Sequence, residues 1–230
     1  EALNRVRAET EPYLIGPEYP GFFRVSGAPD PEWIREGLLY VQDPGTLHAC
    51  QLLDPKPGET VLDACAAPGG KTAILAAMME NQGQLVATDN SVPRLEQMRE
   101  NFHRLAVENV EVQQAEWNAP DHGGHTFPTF DAILLDVPCS NSGVMRRRVD
   151  VRWRIQERDI ERQAANQSAI LKSVARLLKP GGRLVYSTCS IDRAENEAVV
   201  EASGLQIESL VSSLPWRDGY DGAFAALLRA

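Results

Sequence analysis

"DACAAPGGKT", residues 63–72, is the stretch on which the reading of this chain turns. It closes the apolar run "ETVLDAC" (59–65) and leads into "KTAILAAMMEN" (71–81), which places a glycine-rich turn between a buried strand and a helix. Its last three residues are those of a phosphate-binding loop. That pattern, GxxxxGK[ST], needs its first glycine where Cys65 stands, and Pro68 takes the place of the first glycine of a G-x-G-x-x-G dinucleotide fingerprint. What remains is a turn of small residues that a ligand can approach closely, followed by a helix N-terminus whose free amides favour a carboxylate.

Working outward, the same alternation recurs. Strands are expected at "QLVATD" (84–89), "NVEVQQ" (109–114), "FDAILLD" (130–136) and "GRLVYSTC" (182–189), and weaker ones at "LQIESL" (205–210) and "AFAALLR" (223–229). Helices are expected at "VPRLEQMRENFHRLA" (92–106), at 157–179 with Lys179-Pro180-Gly181-Gly182 as its stop signal, and near 194–203. Strands buried on both faces and alternating with helices predict an α/β fold with a mainly parallel seven-stranded sheet and helices on both faces. Ligands of such sheets sit beyond the carboxyl ends of the strands. Asp63 and Cys65, Asp89, Asp136 with Cys139, and Cys189 all fall there. Asp89 stands where a ribose diol is gripped; with the loop, it suits a nucleoside carrying an amino-acid tail, which describes S-adenosylmethionine.

The 230 residues carry 43% hydrophobic and 24% charged side chains, a globular rather than a disordered balance. No apolar run is long enough to span a bilayer, so no membrane partner is expected. The net charge of −9 argues against binding nucleic acid by bulk charge and demands a local basic patch instead. Four widely spaced cysteines without CxxC pairs point to reduced thiols in a cytoplasm. The chain begins at Glu1 without a leader-like segment, which reads as a trimmed fragment without an export signal. Residues 1–45, rich in Pro, Gly and aromatics with a strand-like "FFRV" and a turn of helix at "PEWIREG", are expected to be an N-terminal extension or the remnant of an RNA-binding module; 46–230 form the core domain.

"DACAAPGGKT", "LLDVPCSNSGVMRRRVDVRW" (134–153), "YSTCSIDRAENE" (186–197) and "DGAFAALLR" (221–229) together resemble the Sun/Fmu (RsmB-type) family of RNA cytosine-5 methyltransferases, in the family's order from about residue 36 onward. The resemblance implies a Rossmann-like methyltransferase fold, S-adenosylmethionine as donor, and ribosomal RNA, with transfer RNA next, as substrate. The donor would be held by Cys65, Ala66, Ala67, Pro68, Gly69, Gly70, Lys71, Asp89 and Asp136. Two departures stand out: "PCSNSG" replaces the usual PCSGxG, and Glu116 is the nearest match to the acid that contacts adenine.

The chemistry explains the residue types. Carbon 5 of cytosine is a poor nucleophile until a thiolate adds to carbon 6, and an acid at N3 supports that addition. Cys139 and Cys189 both follow apolar strands, so a parallel sheet can bring them together; composition does not say which one attacks. By resemblance Cys189 is the nucleophile, Cys139 assists breakdown of the adduct, and Asp136 acts at N3. Lys71 either positions the base and favours the thiolate or is a solvated residue at a helix start. Cys50 in "GTLHACQLL" reads as packing, and Cys65 as a backbone contributor.

Arg146, Arg147 and Arg148 are the favoured contacts to RNA phosphates, while the later arginines are interleaved with acids and read as a solvated face. Trp153 either stacks on a base or anchors its segment in the core. The target cytosine must be single-stranded or flipped out. "HGGH" (122–125) reads as a flexible surface loop rather than a metal site, and Glu195 and Glu197 as helix-dipole residues. An RNA-binding or assembly factor that keeps the donor pocket with little turnover is the competing reading, against which the retention of two cysteines speaks.

Overall fold

Val61 and Leu62, Leu85 and Val86, and Leu134 and Leu135 are adjacent apolar pairs, and adjacent strand residues point to opposite faces. A strand apolar on both faces must be covered on both, and the computed structural model, which describes Phe22 and residues 28–229, shows that it is. Helix α1 (Pro31–Arg35) and α2 (Thr46–Leu53) precede β1 (Thr60–Asp63); α3 (Gly70–Met78), β2 (Gln84–Asp89), α4 (Val92–Arg104), β3 (Val110–Gln114) and β4 (Phe130–Asp136) follow in alternation. Beyond a 3-10 turn at Ser142–Val144 come α5 (Val151–Arg154), α6 (Glu157–Ala175), β5 (Leu178–Thr188), α7 (Glu197–Glu201), β6 (Gln206–Ser213), α8 (Pro215–Asp218) and β7 (Ala223–Arg229).

The seven strands lie in the order β3-β2-β1-β4-β5-β7-β6. The first five in that order are parallel, and β7 runs antiparallel to both β5 and β6. Leu62, Val86, Ile133, Leu135, Leu184 and Tyr186 face α6 and α7 through Ile170, Leu171, Val174, Val199 and Val200. On the other face Val61, Leu85, Leu134 and Val185 meet α2 and α3 through Cys50, Leu53, Leu75 and Met79, and Ala87 meets α4 through Leu95, Met98 and Phe102. Cys50 is fully buried in that layer, the packing role expected of it. Between β1 and β4 the strand order reverses direction, so the loops after these strands diverge and leave a crevice at their carboxyl ends.

Three boundaries differ from the sequence expectation. The long helix ends at Ala175, because the backbone N–H of Phe130 donates to Leu177 O at 2.8 Å and Leu178 pairs with Phe130, drawing the chain into the sheet before Pro180. The 179–182 stretch therefore lies within β5, at a register shift. The helix expected near 194–203 is confined to Glu197–Glu201, since the residues before it are committed to the loop described below. "PEWIREG" does form a turn of helix, capped by the Asp30 carboxylate, which accepts from Glu32 N at 2.8 Å. Arg104 at the end of α4 donates to the carbonyls of Ile34 and Leu39, which ties residues 30–39 to the core. Apart from Phe22, "FFRV" lies outside the described residues. Among the described residues no helix is long and apolar enough to cross a membrane.

The last residue of β1, Asp63, is completely buried. One carboxylate oxygen accepts from Thr72 Oγ1 at 2.7 Å, and the other, Oδ1, is buried without a partner. Burial pushes this carboxyl up to about 7, against the hydrogen bond from Thr72. In the unfolded chain it ionises near pH 4, at about 3.9, so the folded state binds the proton more tightly and stability is lost as pH rises from about 4 to about 7. Asp63→Asn cannot ionise. Denaturant unfolding of the two proteins at pH 5 and pH 8 is expected to show their stability difference moving in favour of the variant at the higher pH; a pH-independent difference would sink this account.

Candidate functional site

Asp136 and Ser187 are register partners on β4 and β5, so the chain segments leaving those two strands run side by side. That neighbourhood brings together two cysteines fifty positions apart: Cys139 Sγ lies 3.2 Å from Cys189 Sγ, and both thiols are free. Cys139 is buried and Cys189 partly exposed. The hydrogen bond to Cys189, reinforced by burial, raises the Cys139 thiol well above its ordinary range. With the single S–H of Cys189 directed at Asn141 Oδ1, 3.1 Å away, Cys139 is the member of the pair left to donate toward the other sulfur.

The two segments are stitched by a residue read otherwise from the sequence. Glu195, read as a helix-dipole residue, precedes the helix and does more than face its N-terminus. It is fully buried, its Oε1 accepts from Ser140 N at 2.8 Å and Gln167 Nε2 at 3.1 Å, and Ser140 Oγ donates to its other oxygen. Its backbone carbonyl accepts from Tyr186 Oη at 2.6 Å. A buried carboxyl group needs its hydrogen bonds satisfied, and here they come from Ser140, next to Cys139, and from Gln167 of α6. The 3-10 turn is bound in turn through Ser142 Oγ, which lies 2.9 Å from Ser190 Oγ and accepts from Ile191 N at 3.0 Å.

Asp136 faces the same crevice with both oxygens engaged: Lys71 Nζ donates to Oδ2 at 2.7 Å and Ser187 Oγ to Oδ1 at 2.6 Å. Of the two readings of Lys71, the solvated one fails, since its side chain is only 20% exposed. Burial works against its charge, but the adjacent Asp136 carboxylate outweighs that effect and raises the ammonium above its usual range. Lys71 is a fixed cation that anchors Asp136.

The two larger cavities on this wall matter most. The first, of about 290 Å³, runs from Cys65 and Ala67 past Asp89 and Glu116 to Pro138 and Cys139. Asp89 is 4% exposed, with Arg94 at 3.2 Å and Ser91 N at 3.0 Å. Glu116 is exposed at the rim. Trp117, which the sequence reading passed over, is buried behind it and fastens the loop after β1: its Nε1 donates to Ala64 O at 2.6 Å. In that loop Ala66 and Ala67 pack on α4, Pro68 is exposed, and burial pushes the Cys65 thiol up, which leaves its backbone as the useful part. The glycines were read as making room for a ligand, but the protein fills that room itself. A Cβ on Gly69, at φ 100°, would meet Phe102 at 2.7 Å, and one on Gly70 would meet Tyr40 at 2.7 Å.

The second cavity, of about 570 Å³, lies between Tyr40, Lys71, Val144, Arg147 and Arg148. Both cavities share Cys65, Ala67, Asp136, Asn141 and Cys189. Arg147 reaches the second while paired with Asp221, Nε at 2.8 Å, and with Asp43 at 3.1 Å. Arg146 donates to Gly219 O at 2.6 Å, and Arg148 is exposed. Trp153 does not anchor the core: it is 81% exposed, with the Arg152 guanidinium 4.8 Å from its ring centroid. "HGGH" lies at the surface, with Gly123, Gly124 and His125 exposed, while His122 packs on Trp117 with centroids 5.0 Å apart and its Nδ1 lies 3.3 Å from Ser173 Oγ.

With this geometry in place, comparison with known proteins is informative. The family model for the 16S rRNA methyltransferase RsmB/F matches residues 50–219. The chain is 41% identical over 172 residues to a probable ribosomal RNA small subunit methyltransferase B of Bacillus subtilis, covering 74% of this chain and 38% of that one. Over 228 residues it is 37% identical to the ribosomal RNA small subunit methyltransferase B of Klebsiella pneumoniae, covering 92% and 52%. The chain thus spans about two-fifths to half the length of these curated relatives. Among solved structures, NSun6 from Pyrococcus horikoshii with SFG superimposes with a TM-score of 0.80 at 32% identity, over 90% of this chain and 57% of that one. The Rossmann-like methyltransferase fold expected from the sequence is thereby met, and the chain belongs to the RsmB/F family of 16S rRNA methyltransferases.

Proposed function

We propose that this chain is the catalytic part of an S-adenosylmethionine-dependent RNA cytosine-5 methyltransferase acting on ribosomal RNA. The observation that carries the reading is the pair of free thiols 3.2 Å apart, both on the wall of the first cavity, with Cys189 also on the wall of the second. A binding module has no use for that arrangement. The first cavity fits the donor: Asp89 is a buried acid at the end of β2, suited to a ribose diol, with Glu116 on the adenine side. The second takes the flipped or single-stranded base. S-adenosylmethionine supplies the methyl group as an electrophilic sulfonium.

Cys189, the more exposed thiol, gives its proton to water and forms a bond from sulfur to C6 of cytosine, and the displaced C5–C6 electron pair makes C5 nucleophilic. Asp136, fixed by Lys71 and Ser187, has a lone pair left to accept from the cytosine amino group, and a proton shared between its carboxyl and N3 supports the addition. After transfer a water molecule takes the C5 proton, its electron pair re-forms the C5–C6 double bond, and the C6–S bond breaks to expel the Cys189 sulfur, with Cys139 assisting. Arg147 and Arg148 line the second cavity with Arg146 beside them in the chain; the three are placed to meet an RNA backbone, and Arg148 is the least engaged of them. The catalytic unit covers 46–230, with residues 1–45 an extension whose part from Asp30 packs on α4. Free thiols at the centre of the chemistry suit a cytoplasmic setting.

Incubation with labelled S-adenosylmethionine, 16S ribosomal RNA and transfer RNA tests the assignment. Wild type is expected to form 5-methylcytosine in the ribosomal RNA. Cys189→Ala abolishes turnover and denaturation-resistant adducts, whereas Cys139→Ala accumulates adducts. Exchanged behaviour would swap the two cysteines; donor binding without any modified RNA would favour the binding-factor reading.

Donor binding has its own test. Calorimetric titration of Asp89→Ala with S-adenosylmethionine should show affinity lowered about ten-fold or more, the value of hydrogen bonds to a buried charge. Unchanged affinity would move the ribose site elsewhere.

A further inference from the structure

Asn141 occupies a position where the family's PCSGxG has glycine. Its backbone lies in the left-handed region, φ 62° and ψ 26°, which glycine adopts freely and asparagine tolerates better than most residues. The turn therefore does not require a carboxamide, yet the carboxamide is held at both ends. Nδ2 donates to Cys139 O at 3.1 Å, and Oδ1 accepts from Cys189 Sγ at 3.1 Å. The first bond decides the orientation of the second: with its NH2 group committed to a carbonyl, the amide presents its oxygen to the sulfur. An acceptor facing a thiol stabilises S–H and repels a thiolate.

We propose that Asn141 is a positioning residue that holds the Cys189 thiol protonated between turnovers. The proposal rests on the reading of Cys189 as the nucleophile. It sets two neighbours in opposition: Cys139 donates toward the Cys189 sulfur and favours its ionisation, while Asn141 accepts from it and opposes that ionisation. Asn141 also lines both cavities, so an occupant of either one meets its side chain. A glycine at this position would leave the thiol without that restraint.

Chemical reactivity separates this role from a structural one. The full chain is treated with iodoacetamide at pH 7.5, without RNA or donor, and alkylation of Cys189 is followed by peptide mass spectrometry. In the reaction the sulfur bonds to the methylene carbon as iodide leaves and the thiol proton passes to water. Asn141→Gly, which suits the left-handed backbone, is expected to speed alkylation roughly three- to ten-fold, the equivalent of one ordinary hydrogen bond. Asn141→Asp keeps the shape, adds a negative charge beside the sulfur, and is expected to slow it by a similar factor. The surrounding charges, the Lys71–Asp136 pair and Arg147 with Asp43 and Asp221, are common to all three proteins. General loosening of the site would speed both variants and also expose Cys50, so movement of both in one direction, or no acceleration in Asn141→Gly, overturns the proposal. If Cys189→Ala still methylates RNA, the nucleophile assignment falls instead, while the alkylation rates continue to report whether Asn141 restrains the thiol.

Discussion

The site depends on one buried carboxylate. Two parallel strands deliver their terminal loops to the same edge, but adjacency of strands fixes loops only to within several ångströms, whereas two thiols in hydrogen-bond contact require far closer placement. Glu195 supplies the difference. It takes the backbone and side chain of Ser140, next to Cys139, together with Gln167 of α6, while its own segment follows Cys189 by six residues. Removing one partner of such a cluster leaves a buried polar group unpaired, which costs about 1–3 kcal/mol, so its geometry is held by a penalty for any alternative. The distance between the sulfurs is in this sense set by oxygen and nitrogen atoms that take no part in the chemistry.

How much of this was legible in the sequence follows from the range of the forces involved. Strands such as "FDAILLD" announce themselves because both faces are buried and every residue reports the same environment. The parallel arrangement and the edge on which Asp136, Cys139 and Cys189 cluster follow from that pattern. Glu195 was misread for the opposite reason: a glutamate before a short helix has an adequate local role, and only contacts with Ser140, 55 positions earlier, and Gln167, 28 earlier, reveal another. Trp117 was missed in the same way, since its indole N–H meets a carbonyl 53 residues back in the chain. The end of α6 was misplaced because Lys179-Pro180-Gly181-Gly182 is a sound helix stop, while the pairing of Leu178 with Phe130 acts earlier and leaves no local mark.

Asn141 is an intermediate case. Its departure from PCSGxG was visible in the sequence, but the sequence shows only that a side chain is present, not where it points. The positive φ explains why asparagine is admissible there, and the paired bonds to Cys139 O and Cys189 Sγ show what the added carboxamide touches.

Arg147 shows how charge is divided between architecture and recognition. It binds Asp43, just before α2, and Asp221, just before β7, from a turn between β4 and α5, so one guanidinium joins three distant segments around the second cavity. Its planar fork of donors suits that task better than a lysine would. The consequence reaches upstream of residue 46: Tyr40, Gln42 and Asp43 belong to the wall of the cavity, and the segment that carries them is fixed at one end by Arg104 and at the other by Arg147. In a chain of net charge −9 the positive field that an RNA backbone meets must be local. With Arg147 paired to two carboxylates, Arg148 is an exposed arginine on the lining of the second cavity, and on the proposed function it is the residue placed to draw an RNA backbone to that side.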